Sequence, residues 1–76
     1  METLRLRLSL AGRAGKTVTV VSGFTRERAA MEKLASELKR ALGCGGSWRQ
    51  GAIELQGDEK DRVRPILQAK GFTVKG

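Results

Sequence analysis

Several residue types on which enzymes, disulfide-bonded proteins and membrane proteins depend are scarce or absent in this sequence. The 76 residues include no histidine, no tyrosine and only one cysteine. The chain therefore lacks the commonest general base, and its lone cysteine cannot form an internal disulfide, which favours a reducing compartment. There is no apolar run of about 18 residues and no signal or transit peptide pattern. We therefore predict a cytoplasmic protein without a membrane partner.

Positive charge is what the sequence has in excess. Fifteen lysines and arginines stand against eight acids, which gives a formal net charge of +7. An excess of this size on a small domain indicates a polyanionic partner, most often a nucleic acid. A chain of this length buries only about 60% of its unfolded surface. We expect a single domain over residues 1–76, with one sheet, a helix or two, and no enclosed active site.

The first third of the sequence has the pattern of a β-hairpin. Leucines at alternate positions from 4 to 10 predict a strand with one buried face and one basic, exposed face, and we expect Leu10 to lie in the core. After the glycine-rich segment 12–15, the β-branched run from 16 to 22 predicts the returning strand. We expect Thr17 and Thr19 on its exposed face.

An amphipathic helix follows the hairpin. Apolar residues at helical spacing predict a helix over about residues 25–42, with Thr25 as N-cap and Gly43 as C-terminal stop. Arg26, Lys33 and Arg40 recur every seven residues, which places them near one edge of the polar face.

Short strands and a second helix complete the pattern. The second helix is predicted over about residues 59–70, with Asp58 as its cap. Because Pro65 removes a backbone hydrogen bond, the helix either begins late, near Asp61, or has distorted first turns. The predicted order is β-β-α-β-β-α-β. It indicates an α+β fold, a two-layer α/β sandwich of a mainly antiparallel five-stranded sheet with two helices on one face.

A phosphate-binding loop is suggested by the run Gly15-Lys16-Thr17, but the context does not support it. The motif requires glycine where the chain has Leu10, and a helix where the residues after Thr17 predict a strand. We interpret residues 12–15 as the turn of the hairpin. The G-x-x-G matches at 12–15 and 43–46, which resemble the loop of KH domains, are explained by turns in the same way.

Base stacking on the sheet, as in RNA-recognition motifs, is not indicated either. That mode needs aromatic residues on the exposed face, where only Trp48 is a candidate, because we expect Phe24 and Phe72 in the core. Cys44 has no histidine or second cysteine beside it, so we interpret it as a structural thiol. No enzyme activity, metal or cofactor is predicted. The mode of binding that the basic residues favour is recognition of the phosphates and the shape of a nucleic acid.

Three segments together resemble the translation initiation factor 1 family of eukaryotes, and are similar above all to its stand-alone archaeal and bacterial relatives. They are LRLRLSLAGRAGKTVTVVSGF, LKRALGCGGSWRQGAIELQGD and DRVRPILQAKGFTVK. The resemblance implies a monomeric RNA-binding protein that binds the small ribosomal subunit near the P site, contacts ribosomal RNA close to initiator tRNA and mRNA, and influences start-codon selection. A general RNA-binding or RNA-chaperone module is the alternative, and an acidic protein partner is a third hypothesis.

The resemblance also implies roles for particular residues. Arg13 and Lys16 correspond to a basic hairpin tip, and Lys39 and Arg40 to RNA-contacting residues near the end of the first helix. Residues 56–58 correspond to the family's signature turn, which we interpret as mainly architectural. The candidate RNA-binding residues are Arg5, Arg7, Arg13, Lys16, Lys33, Lys39 and Arg40, and the signature turn is Gln56, Gly57 and Asp58.

Overall fold

Seven secondary-structure elements follow one another in the predicted order. The computed structural model describes residues 3–11, 16–49 and 51–76, without the side chains of residues 11 and 16. The elements are β1 (Thr3–Ala11), β2 (Lys16–Ser22), α1 (Arg28–Leu42), β3 (Gly46–Arg49), β4 (Ala52–Gln56), α2 (Lys60–Ala69) and β5 (Thr73–Lys75). This is the α+β fold that the sequence predicts.

The five strands form one mixed sheet in the order β3-β4-β2-β1-β5. The pairs β1–β2, β2–β4 and β3–β4 are antiparallel, whereas β5 runs parallel to β1. Both helices pack on one face, which we call the helix-covered face, and we call the opposite one the open face. The core between the sheet and the helices contains fully buried side chains of both layers: Leu4, Val21, Ile53, Leu55, Leu38, Val63 and Leu67.

The predicted orientation of β2 is wrong. Val21 pairs with Leu6 and Thr19 pairs with Leu8, so the odd-numbered residues of β2 face the helices. Thr19 is fully buried, while Val20 lies on the open face and is also buried, at 6% exposure. The alternation of apolar and polar residues could not show which face of β2 is buried, because Val18 and Val20 lie on one face and Val21 lies on the other.

Leu10 is not a core residue, contrary to the prediction. It is 75% exposed and Leu8 is 44% exposed, although both are on the helix-covered face. The pairing of β2 with β4 ends at Val18 and Gln56, whereas the pairing of β1 with β2 continues to residues 11 and 16. The hairpin therefore projects beyond the rest of the sheet and carries its leucines into solvent.

Both helices begin later than predicted. The N-cap residue of α1 is Glu27, and the first helical bond runs from the Met31 N–H to the Glu27 carbonyl at 2.9 Å. Thr25 is therefore not the cap. Just before Thr25, the Gly23 and Phe24 N–H groups both bond to the Gly51 carbonyl. These bonds tie the segment between β2 and α1 to the turn between β3 and β4.

The helix ends fit the prediction better. Gly43 ends α1 with φ of 66°, and its N–H bonds to the Lys39 carbonyl. This left-handed conformation is the one that glycine adopts without strain. Helix α2 begins at Lys60, one residue after the predicted start, and continues through Pro65.

Candidate nucleic-acid interface

A basic groove runs between the two helices. Lys33 and Arg40 of α1 line it together with Lys70, which follows α2, and the opening has a volume of about 470 Å³. An adjoining depression shares Lys33 and Lys70 and adds Arg26 and the Phe72 ring. We call the surface formed by these two depressions the helix groove; its four cations are Arg26, Lys33, Arg40 and Lys70.

Contacts within the groove hold two of its cations in place. The Arg26 guanidinium carbon lies 4.6 Å from the centroid of the Phe72 ring, a cation–π geometry. The Phe72 ring is itself fixed edge-on against Phe24, with the two centroids 5.8 Å apart. The Lys70 Nζ lies 3.5 Å from the Glu37 Oε1. Arg26 is therefore oriented by its contact with an aromatic ring that is itself fixed in the core.

The charge of the groove remains positive after this pairing. Glu37 is the acid among the described residues that line both depressions, and Lys70 offsets it. Lys33 and Arg40 are exposed and seven positions apart, which at about 1.5 Å per residue separates them by about 10 Å along the helix axis. Two exposed cations at this separation can contact two phosphate groups of one nucleic-acid strand.

The seven candidate RNA-binding residues do not form one surface. Lys33 and Arg40 line the helix groove, as the spacing of seven predicts. Lys39 does not line it, because consecutive helical residues point about 100° apart; it is half-buried. The tip residue Arg13 and the side chain of Lys16 are outside the described residues.

Arg5 and Arg7 are on the opposite side of the molecule. Both are exposed on the open face of the sheet, where they line a depression of about 450 Å³ with Ser22 and Lys75. The pairing places Arg5 directly beside Lys75 of β5 and beside Ser22 of β2. The alternation of residues 72–75 predicts that Lys75 shares this exposed face with Arg5 and Arg7, but it does not predict that Lys75 pairs directly with Arg5.

Lys70 and Lys75 line these surfaces although neither is among the seven candidate RNA-binding residues. Lys70 is outside the first helix and joins the groove only because α2 packs against α1. Lys75 joins Arg5 only because β5 pairs with β1 in parallel. Arg26 had a signal in the sequence, since it stands seven residues before Lys33.

Thr19 holds the signature turn in place through its side-chain hydroxyl. Gly57 has φ of 88°, and its carbonyl accepts a hydrogen bond from the Thr19 hydroxyl at 2.7 Å. The same hydroxyl oxygen accepts a bond from the Glu59 N–H at 2.8 Å. Gln56 ends β4 and its N–H bonds to the Gly45 carbonyl. A threonine from β2 thus fixes the start of α2.

Asp58 is displaced from its predicted role as the cap. The N-cap residue of α2 is Glu59, without a side-chain cap bond, and Asp58 stands one residue earlier. Its Oδ1 still accepts a bond from the Lys60 N–H, at a long 3.4 Å. Glu59 instead pairs with Arg62 at 2.9 Å, and Arg62 also donates to the Leu42 carbonyl at the end of α1.

Trp48 and Cys44 both pack against the core. Trp48 pairs with Ile53 and packs partly buried against the core, so the expectation that it could face outward is wrong. Cys44 is half-buried beside the core, and burial, with a smaller contribution from the Glu59 carboxylate, raises the pKa of its thiol. Within the described part of the chain, no cluster of metal-ligating side chains is present, and no helix is long and apolar enough to span a membrane.

Comparison with known proteins identifies the family. The model of the family described as translation initiation factor SUI1 matches residues 2–73. The uncharacterized protein YciH of Salmonella typhimurium is 43% identical over 72 residues, which cover 95% of this chain and 67% of that protein. The protein translation factor SUI1 homolog of Sulfolobus acidocaldarius is 48% identical over 60 residues, 79% of this chain and 61% of that protein.

A second archaeal relative agrees with the first. The protein translation factor SUI1 homolog of Pyrococcus horikoshii is 41% identical over 61 residues, which cover 80% of this chain and 62% of that protein. The chain belongs to the translation initiation factor SUI1 family. The resemblance stated from the sequence is confirmed, and this membership supports a role in translation initiation.

Proposed function

We propose that this protein is a non-catalytic RNA-binding factor that binds the small ribosomal subunit near the P site and influences start-codon selection. In this proposal it acts as a cytoplasmic monomer with a single domain over residues 1–76. The observation that carries the proposal is the helix groove, a built cationic surface on a member of a translation initiation factor family.

The groove supplies the binding energy in this proposal. Lys33 and Arg40 neutralise phosphates of ribosomal RNA, and the release of counterions drives docking. Arg26 is already oriented over the Phe72 ring, so less side-chain freedom is lost on binding. These contacts carry no sequence information, so recognition depends on the shape of the RNA.

The projecting hairpin supplies the effect on initiation. Its strands extend past the last pair of β2 with β4, and the sequence of its tip carries Arg13 and Lys16. Docking through the groove would direct this tip at RNA in the decoding region. There it would sterically disfavour pairing of initiator tRNA with a wrong codon.

Co-sedimentation with purified small subunits tests the binding surface. We expect Lys33→Gln/Arg40→Gln to weaken binding about tenfold or more, because each lost charged hydrogen bond contributes about 1.5–3 kcal/mol. The matched control is Arg28→Gln/Lys60→Gln, which removes two charges outside the groove. Equal binding by both variants would show that the groove is not the docking surface.

The role of the tip is tested by a reporter that compares AUG with near-cognate start codons. We expect Arg13→Ala/Lys16→Ala to alter codon discrimination while the protein still co-sediments with the subunit. If neither deletion nor overexpression changes discrimination, the protein is a general RNA-binding or RNA-chaperone module. Binding that survives nuclease treatment of the subunit would instead point to an acidic protein partner.

A further inference from the structure

A second cluster of cations lies on the open face of the sheet. Arg5 and Lys75 are direct partners on neighbouring strands, about 4.8 Å apart. Arg7 is two residues from Arg5 on the same face, about 7 Å along the strand. All three side chains are exposed and line one depression. We call Arg5, Arg7 and Lys75 the sheet cluster.

No aspartate or glutamate lines the depression of the sheet cluster among the described residues; Gly76 lines it as well, and its carbonyl oxygen accepts a hydrogen bond from Arg64. None of its three cations forms an ion pair with an acid among the residues that the structure describes. Glu54 is on the same face but two strands from Arg7, with Val20 between them, about 10 Å away. Like charges in direct register destabilise a sheet, so an anion bound to the cluster would remove a repulsion that the free protein retains.

Small side chains lie beside the sheet cluster on the open face, and a further cation, Arg49, lies beyond them. One row of paired residues crosses all five strands, with Lys75, Arg5, Ser22, Ala52 and Arg49 in succession. The small side chains of Ser22 and Ala52 separate Arg5 from Arg49 by three strand spacings, about 14 Å. The open face is therefore a shallow trough with positive charge on both sides.

The chemistry of this trough fits the phosphates of a nucleic-acid strand. The guanidinium groups of Arg5, Arg7 and Arg49 match phosphate oxygens in a bidentate geometry. The described residues of this face include no aromatic side chain on which a base could stack, and Val20 is buried. A protein partner would need an exposed apolar anchor at the centre of the interface, and no apolar residue of this face is exposed among those whose side chains are described.

We infer that the sheet cluster is a second RNA-backbone site, and that one chain holds two separate RNA segments at once. The helix groove and the sheet cluster lie on opposite faces of a molecule whose smallest dimension is 20 Å. A single strand therefore cannot contact both without passing around the molecule. The inference rests on the proposed function, since it takes the helix groove as the first RNA site.

The number of RNA strands bound per chain tests the inference. The probe is a labelled uridylate hexamer, which does not pair with itself, in sedimentation velocity at low ionic strength. We expect two hexamers per chain for the unmodified protein and for Arg28→Gln/Lys60→Gln. We expect one for Arg5→Gln/Lys75→Gln and one for Lys33→Gln/Arg40→Gln, with Arg5→Gln/Arg7→Gln as a second variant of the sheet cluster.

One hexamer per unmodified chain, or two on both sheet-cluster variants, would overturn the inference. Tighter binding of polyglutamate than of RNA at this face would overturn it too, in favour of an acidic protein. Co-sedimentation with small subunits separates this failure from that of the proposed function. A protein that binds the subunit through the groove but holds one hexamer contradicts the second site alone.

Discussion

Thr19 shows how one side chain joins two layers of the molecule. Its hydroxyl donates to the Gly57 carbonyl at 2.7 Å and accepts from the Glu59 N–H at 2.8 Å. Both partners belong to the turn that leads into α2, and Thr19 itself is fully buried in the middle of the sheet. A buried hydroxyl with both functions satisfied stabilises the fold and fixes the start of the helix.

Thr19→Val should lower the free energy of unfolding by about 1–3 kcal/mol, since the change in shape is small but the Gly57 carbonyl and the Glu59 N–H lose their partner. Denaturant unfolding measures the change. Thr17→Val on the same face is the control, with an expected effect within about 0.5 kcal/mol. Equal effects of the two substitutions would mean that the hydroxyl bonds contribute nothing.

Leu10 and Leu6 make a second comparison at the residue scale. They lie on the same face of β1, but Leu10 is 75% exposed and Leu6 only 4%. Leu10→Thr, which preserves β-propensity, should change the free energy of unfolding by less than about 0.5 kcal/mol. Leu6→Ala should cost about 2–5 kcal/mol. Similar losses in the two variants would place Leu10 in the core after all.

Helix α2 keeps a proline in its interior, at its sixth residue. Pro65 has no N–H to bond to the Asp61 carbonyl, and its side chain is exposed, so it contributes no core packing in return. The apolar stripe of Val63 and Leu67, both fully buried, holds the helix on the sheet. Tertiary packing thus outweighs the local cost of the proline, and it carries Lys70 to the groove.

Pro65→Ala should therefore raise the free energy of unfolding by about 1–3 kcal/mol, because the helix gains a backbone bond and loses a steric clash. Thermal or denaturant unfolding measures this change. Gln68→Ala, at another exposed position of α2, should change stability by less than about 0.5 kcal/mol. A Pro65→Ala protein no more stable than the original would mean that α2 accommodates the proline without cost.

At the scale of the whole molecule, cations among the described residues of this chain, whose net charge is +7, cluster on two faces. The helix groove holds Arg26, Lys33, Arg40 and Lys70, and the sheet cluster holds Arg5, Arg7 and Lys75. Because the sheet and the helices form two layers, these groups face in opposite directions. The family membership supports a role in translation initiation, and this distribution of cations is the basis of the electrostatic RNA binding that we propose.

RNA binding should accordingly weaken steeply with salt. Each phosphate of a single strand that is neutralised contributes about −0.7 to the slope of log K against log salt. Lys33→Gln/Arg40→Gln should make the slope shallower by about 1.4, and Arg28→Gln/Lys60→Gln should leave it unchanged. Fluorescence anisotropy with a labelled oligouridylate over a salt series gives the slopes. A slope unaltered in the groove variant would contradict phosphate contact by these two residues.

The sequence by itself determined the order of the elements, the α+β class, the end of α1 at Gly43 and the family. Each of these depends on local periodicity, on turn chemistry or on motifs that are contiguous in the chain. The spacing of Arg26, Lys33 and Arg40 likewise indicated that they lie along one edge of the first helix. These three residues line one side of the helix groove.

Only the tertiary structure decided the rest. Apolar residues on both faces of β2 left its orientation open until it paired with β1, which buried Thr19. Leu10 became exposed because β4 ends before the hairpin does. Lys70 and Lys75 joined their clusters through the packing of α2 and the pairing of β5. Residues distant in the chain meet only when helices and strands pack, so no local pattern could have placed them.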